Sequence, residues 1–232
     1  MEIYRFGGSS IGSIEKMRNV VNLIGDNIPK VVVLSATSET VISLEKISAY
    51  FFNREIEKAH DAITRLEFKF IDFLNNLLNN DDIKKRAVSY VLDRFRVIWN
   101  FTKGAFVPME ERRIVAQGEL ISTALFSFYL EEQGLKNSFL CSTDFLKTGI
   151  DRNLDMSYLK TRLKDIFFAQ KDTSIFITQG DICINAYDRI DNLKHKESSY
   201  SALSIGNAIE ADEIKIWKDI DSTCTYNINP TK

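Results

Sequence analysis

The sequence predicts an α/β protein: a mainly parallel central sheet with helices on both faces and a helical insertion. Three features carry this class. Short apolar runs, many of them β-branched, recur at residues 2–6, 31–35, 174–179 and 213–218, and each leads into a polar or glycine turn. The first two flank a segment of helical period, which makes a βαβ unit and argues for parallel pairing. The second run, Val31-Val32-Val33-Leu34, is continuous rather than alternating, as in a strand covered on both faces.

Along the chain, Ile3-Tyr4-Arg5-Phe6 runs into Gly7-Gly8-Ser9-Ser10-Ile11-Gly12. Residues without Cβ let backbone N–H groups approach an anion. The serines add hydroxyl donors, the next helix offers its positive N-terminal end, and Arg5 supplies a cation. The stretch reads as a place to hold phosphate; a plain strand-to-helix turn is the other reading of the same residues. Ser13 is placed to cap a helix carrying Ile14, Met17, Val20, Val21 and Ile24, with Gly25 near its end. Pro29 introduces Val31-Val32-Val33-Leu34, and Ser35-Ala36-Thr37-Ser38-Glu39 follows at the carboxyl edge, where open α/β sheets collect ligands.

From about Val41 to Phe101 there is no strand signal. One apolar stripe (Ile63, Leu66, Phe70, Phe73, Leu74, Leu77) and a second (Val88, Val91, Leu92, Phe95, Ile98) predict an antiparallel helical pair at about 54–103, with His60 on a solvated face. Pro108 opens another helix through Gln117-Gly118-Glu119-Leu120. A glutamate there is ordinarily exposed, but Val115, Leu120, Leu125 and Phe128 suggest an inward-packing helix, on which a lone carboxylate needs a partner. A short strand is expected to begin at Phe139-Leu140, then a helix with Leu159, Leu163, Ile166 and Phe167, the strand ending in Thr178-Gln179-Gly180, a helix with Leu203, Ile205 and Ile209, and the last strand.

Of the 232 residues, 44% are hydrophobic and 27% charged, enough for one sizeable core and a single domain over 1–232. A net charge of −2 gives no basic field for nucleic acid or an anionic membrane, so small molecules or protein are the expected partners. Cys141, Cys183 and Cys224 are odd in number and widely spaced, the N-terminus lacks a cationic, apolar leader, and no apolar run is long enough to span a bilayer. A cytoplasmic location is expected.

Arg5-Phe6-Gly7-Gly8-Ser9-Ser10 resembles the opening Lys-Phe-Gly-Gly-Thr-Ser of aspartate kinases, in the amino acid kinase superfamily, with arginine at the lysine. Later segments are similar in the same order. Residues 35–39 resemble Ser-Ala-Met-Ser-Gly, with Glu39 at the glycine and Thr40 or Val41 at the following threonine. Gly118-Glu119-Leu120-Ile121-Ser122 resembles Gly-Glu-x-x-Ser, and Cys141 stands at a usual aspartate. Thr178-Gln179-Gly180 is similar to the start of Thr-Gln-Gly-Phe-Ile-Gly, with Asp181 and Cys183 differing. Residues 193–202 occupy the place of Leu-Gly-Arg-Gly-Gly-Ser-Asp-Tyr-Ser-Ala, with Lys194, Lys196 and Glu197 at the glycines, His195 at the arginine and Ser199 at the aspartate. Ala211 to Asp221 resembles the strand and nucleotide loop Glu-Ile-Trp-Thr-Asp-Val-Asp, with Lys218 at the threonine, and Ser222 follows where the family has glycine.

The resemblance implies a three-layer amino acid kinase-like fold and ATP-dependent phosphorylation of the aspartate side-chain carboxylate, in amino-acid biosynthesis (the lysine, threonine and methionine pathway). It implies Arg5 and Gly8 as catalytic residues. Gly7, Gly8, Ser9, Ser10, Lys218, Asp219 and Tyr226 would bind nucleotide, and Ser35, Thr40, Glu119, His195 and Ser198 would bind the acceptor. ATP and Mg2+ are implied, with no protein metal ligand assigned; aspartate or a similar small molecule is the substrate, and a homodimer is compatible. The family continues into ACT domains that this chain does not contain, so feedback through them is not expected. Loss of the glycines and arginine at 194–197 implies weak activity. A degenerate non-catalytic relative acting by binding or assembly, or a kinase of another small amino acid, stand as alternatives.

Overall fold

Side by side, the apolar runs build one parallel sheet. The structure, a computed structural model, describes residues 1–103, 106–193 and 198–217. Strands β1 (Glu2–Phe6), β2 (Lys30–Leu34), β3 (Asn137–Phe139), β4 (Ile175–Gln179) and β7 (Glu213–Trp217) lie in the order β3-β4-β2-β1-β7, all parallel. The expected strands 2–6, 31–35, 174–179 and 213–218 are thus its four contiguous members, to within a residue at each end; residue 218 lies outside the described residues. β3 starts two residues earlier than expected, because the chain turns at Gly134 (φ +76°) and Asn137 already pairs with Ile175.

Register sorts the side chains cleanly. Ile3, Val31, Val33, Phe176, Ile214 and Ile216 share a core with helices α6 (Met156–Ala169) and α7 (Ser198–Ala208). Tyr4, Phe6, Val32, Leu34, Ile177 and Trp217 face the opposite layer, made by α1 (Ile14–Ile24), α2 (Ser38–Phe52), α3 (Ile56–Leu77), α4 (Asp81–Trp99) and α5 (Pro108–Glu132). Each fully buried Val, Leu, Ile or Phe in such a core contributes on the order of 1.5–3 kcal/mol. Ser13 caps α1 by accepting from the Lys16 N–H at 3.2 Å, and Thr37 caps α2 by accepting from the Thr40 N–H at 3.3 Å. Helicity therefore starts at Ser38, immediately after the second strand's loop.

α3 and α4 are the expected antiparallel pair. They do not stand off from the sheet: Ile63, Leu66, Leu74, Ile83, Val91 and Phe95 join the same core as Phe6 and Trp217. Between β4 and α7 lies a two-stranded antiparallel hairpin, β5 (Ile182–Ile184) and β6 (Ile190–Asn192), which nothing in the sequence pattern foretold. It leans on α5 through Ile182 against Ala116 and Leu120, and through an ion pair between Arg112 and Asp191.

Candidate active site

Most of the site residues expected on the described chain meet at the carboxyl edge of β1, β2, β4 and β7, in a closed ring of contacts. Arg5 projects from β1 on the α6–α7 face, and its Nε donates to Ser198 Oγ at 2.7 Å while Nη1 donates to the Trp217 carbonyl at 3.1 Å. Ser198, the first residue of α7, abuts Gly180: a Cβ at position 180 would stand 2.2 Å from Ser198 Cβ. Beside Gly180, the Asp181 N–H donates to Glu119 Oε2 at 3.2 Å, and the other carboxylate oxygen, Oε1, accepts from the Ala36 N–H at 3.1 Å. Ala36 in turn is pressed against Gly8, where a Cβ would stand 2.0 Å from the Ala36 carbonyl oxygen. Gly7 and Phe6 then lead back to Arg5.

This ring changes what two residues are seen to do. Gly8 has no unusual backbone geometry to support; it begins a short 3-10 turn (Gly8–Ile11), and its lack of a side chain lets that turn lie directly on the loop after β2. Glu119 is buried, and among the described residues its carboxylate accepts from backbone amides of two different loops. Burial and then the neighbouring Asp181 carboxylate push its pKa up to about 8, against the opposing pull of the backbone N–H groups.

The remaining expected residues are distributed around the ring. Ser9 is exposed, whereas Ser10 is fully buried, and its hydroxyl has no hydrogen-bond partner among the described residues. The Ser35 hydroxyl is likewise buried without a partner, just before Ala36. Thr40 lies on α2, its Oγ1 2.9 Å from Thr37 Oγ1 and its methyl against Gly118 of α5. His195, Lys218, Asp219 and Tyr226 fall outside the described residues. The Ala36 and Asp181 amides, Gly180 and the Trp217 carbonyl were not anticipated; only Gly180 carried a signal, as the turn closing a buried strand.

Gly118 fixes how closely α2 and α5 approach beneath Glu119. A Cβ there would lie 2.7 Å from Leu44 Cδ1 and 2.8 Å from Thr40 Cγ2, both ends of movable side chains. Alanine gains about 1 kcal/mol in helix propensity but overpacks at a cost of roughly 1–3 kcal/mol. Gly118→Ala should therefore lower stability by about 0–2 kcal/mol in urea unfolding; a clear stabilisation would contradict the close packing.

Comparison with known proteins fits this geometry. A model of the amino acid kinase family matches residues 2–230. The chain is 28% identical to Aspartokinase 2, chloroplastic, of Arabidopsis thaliana, over 98% of this chain and 44% of that protein. It is 26% identical to a bifunctional aspartokinase/homoserine dehydrogenase, chloroplastic, of Daucus carota, over 99% and 26% respectively. Against the lysine-sensitive aspartokinase 3 of Escherichia coli (strain K12) it is 23% identical, over 96% and 50%. The chain thus spans between 26% and 50% of the length of these relatives. Among solved structures, E. coli aspartokinase III in complex with lysine and aspartate (T-state) matches with a TM-score of 0.80 at 21% identity, over 94% of this chain and 49% of that one. The same enzyme in complex with aspartate and ADP (R-state) matches with a TM-score of 0.76 at 22% identity, with the same coverage. With the family model covering nearly every residue and the fold shared with these structures, the chain belongs to the amino acid kinase family.

Proposed function

We propose that the chain is an aspartate kinase-type phosphotransferase that moves the γ-phosphoryl group of ATP to the side-chain carboxylate of aspartate or a similar small amino acid, with low turnover. The supporting observation is the ring that joins Arg5 and Gly8 to Glu119 and Ser198 at one sheet edge. Neighbouring folds bound to aspartate and ADP support the same ligand classes.

In this reading a carboxylate oxygen of the acceptor attacks the γ-phosphorus as the bond to the β–γ bridging oxygen breaks and ADP leaves. The acceptor is already ionised near neutral pH, so no base is needed. Catalysis is alignment plus stabilisation of charge on the transferred group. Arg5 supplies the cation at the strand end, the turn at Gly7, Gly8 and Ser9 supplies backbone N–H groups, and Glu119 faces the acceptor's ammonium. The close loop packing at Gly8 and the buried, unpartnered hydroxyls of Ser10 and Ser35 fit a polar ligand at this edge. Mg2+ is proposed as the ion that accompanies ATP, carried more by phosphate and water than by side chains; the described residues add no group of three His, Cys, Asp or Glu that could hold a metal. A role in amino-acid biosynthesis, a cytoplasmic location and pairing of two copies complete the proposal. The free thiols of Cys141 and Cys183 support a reducing compartment, and among the described residues no helix is long and apolar enough to cross a membrane.

Low turnover follows from position 195 and from Arg5. Replacing an arginine–carboxylate contact by an imidazole gives up the bidentate guanidinium fork and forfeits roughly ten- to a hundredfold in acceptor binding. The planar guanidinium is also held by Ser198 and Trp217, where a flexible ammonium would follow the transferring oxygens. Calorimetry with ATP should show binding, while trapping of aspartyl phosphate by hydroxylamine should show feeble product. Absence of ATP binding would overturn the kinase reading, and robust product would overturn the low turnover. Arg5→Lys alone should not restore activity; Lys194→Gly, His195→Arg, Lys196→Gly and Glu197→Gly together with Ser199→Asp should do more.

A further inference from the structure

The bond between Arg5 and Ser198 crosses 193 positions of sequence and joins the first strand to α7. Ser198 is 1% exposed, and its backbone carbonyl accepts from the Ser201 hydroxyl at 2.9 Å, which fixes it in the first turn of α7. Gly180 lets it come this close, since any side chain there would occupy the space of Ser198 Cβ. The oxygen so placed meets Nε, the guanidinium donor nearest the main chain, while Nη1 donates to the Trp217 carbonyl on the next strand. Two acceptors at different edges of a planar group fix both its position and its plane. Both of these acceptors are neutral groups, so these two contacts act on the orientation of the guanidinium.

We propose that Ser198 is a positioning residue for Arg5: its hydroxyl sets the plane of the guanidinium at the sheet edge, and Gly180 is the residue that allows it. The ligand toward which Arg5 is set, a nucleoside triphosphate, rests on the phosphotransfer reading above. This assigns Ser198 to the cation and not to direct acceptor binding. It also accounts for why lysine at position 5 is not an equivalent residue here, because an ammonium offers no Nε donor to Ser198.

A double-mutant cycle tests the assignment, with Ser198→Ala, Arg5→Lys and the double variant, each checked for native circular dichroism. Loss of a hydrogen bond to a charged group corresponds to roughly ten- to a hundredfold. Ser198→Ala should weaken ATP by about that factor in the unaltered background, by less than twofold beside Arg5→Lys, and leave aspartate affinity unchanged. Independent, multiplying effects on ATP, or a loss confined to aspartate, would overturn the assignment. Should the unaltered chain bind no ATP, the kinase reading falls. The positioning claim is then decided by the same cycle in urea unfolding, where non-additive losses support it and additive losses overturn it.

Discussion

Gly8→Ala should lower the melting temperature by roughly 6–12 °C and abolish nucleotide binding, although it adds a single methyl group. The methyl would stand 2.0 Å from the Ala36 carbonyl oxygen, 2.6 Å from its carbon and 2.8 Å from Thr37 Cα, all backbone atoms that cannot rotate aside. Overpacking costs typically about 1–3 kcal/mol, and a contact with backbone on both sides belongs at the upper end. For a chain of this length, each kcal/mol moves the midpoint by about 2–4 °C. The displacement would not stay local, because the loop that must give way carries the Ala36 N–H that binds Glu119. Gly12→Ala, four residues on, is the control: its Cβ would meet nothing nearer than the Thr37 methyl at 3.5 Å, and its melting curve should shift by less than about 1–2 °C. Equal curves for the two variants would show that the turn does not lie on the second loop as described.

The same contrast shows what could be read before folding. The central strands are legible from short apolar runs that end in polar or glycine turns, and a continuous run such as Val31-Val32-Val33-Leu34 suits few places other than a strand buried on both faces. The hairpin β5–β6 was not. Its three-residue strands, Ile182-Cys183-Ile184 and Ile190-Asp191-Asn192, have too little local pattern, and what fixes them is tertiary: Ile182 on α5 and the buried Asp191 held by Arg112. The helices α3 and α4 were legible as amphipathic but not as members of the main core, since a stripe tells which face is buried and not against what.

At the site, residue types were easier to read than their partners. Glycine, serine and a cation after a strand suggested phosphate, yet the contact that requires glycine at position 8 comes from Ala36. A glutamate on an inward helix needs a partner. The structure supplies two backbone amides, which no residue-type pattern encodes because every residue but proline carries one. Arg5 and Ser198 lie far apart in sequence, and their bond to one another exists only once β1 and α7 are packed.

Glu119 carries the other large expected effect. Below pH 6, Glu119→Ala should lower stability by roughly 2–6 kcal/mol, because it removes the acceptor of one buried and one part-buried N–H group at about 1–3 kcal/mol each. Glu119→Gln, which keeps an acceptor oxygen, should lose less. The unaltered chain should itself be pH-dependent. The unfolded carboxyl titrates near 4.5, whereas the folded one is raised to about 8, chiefly by burial and next by Asp181. Between these values the native state holds a proton that the unfolded state lacks. The contribution from this group is thus complete below about 4.5 and is lost as pH rises to about 8, at no more than about 1.4 kcal/mol per pH unit. Glu119→Gln should remove that slope. An acceptor whose ammonium meets Glu119 favours the ionised form, so binding below pH 8 must expel the proton. Affinity for aspartate should then rise with pH by up to about tenfold per unit and level off above about 8. Calorimetry in two buffers of different ionisation enthalpy measures the proton directly: release near pH 6.5 from the unaltered chain and none from Glu119→Gln is the expected result. Aspartate binding without proton release would show that its ammonium sits elsewhere than beside Glu119.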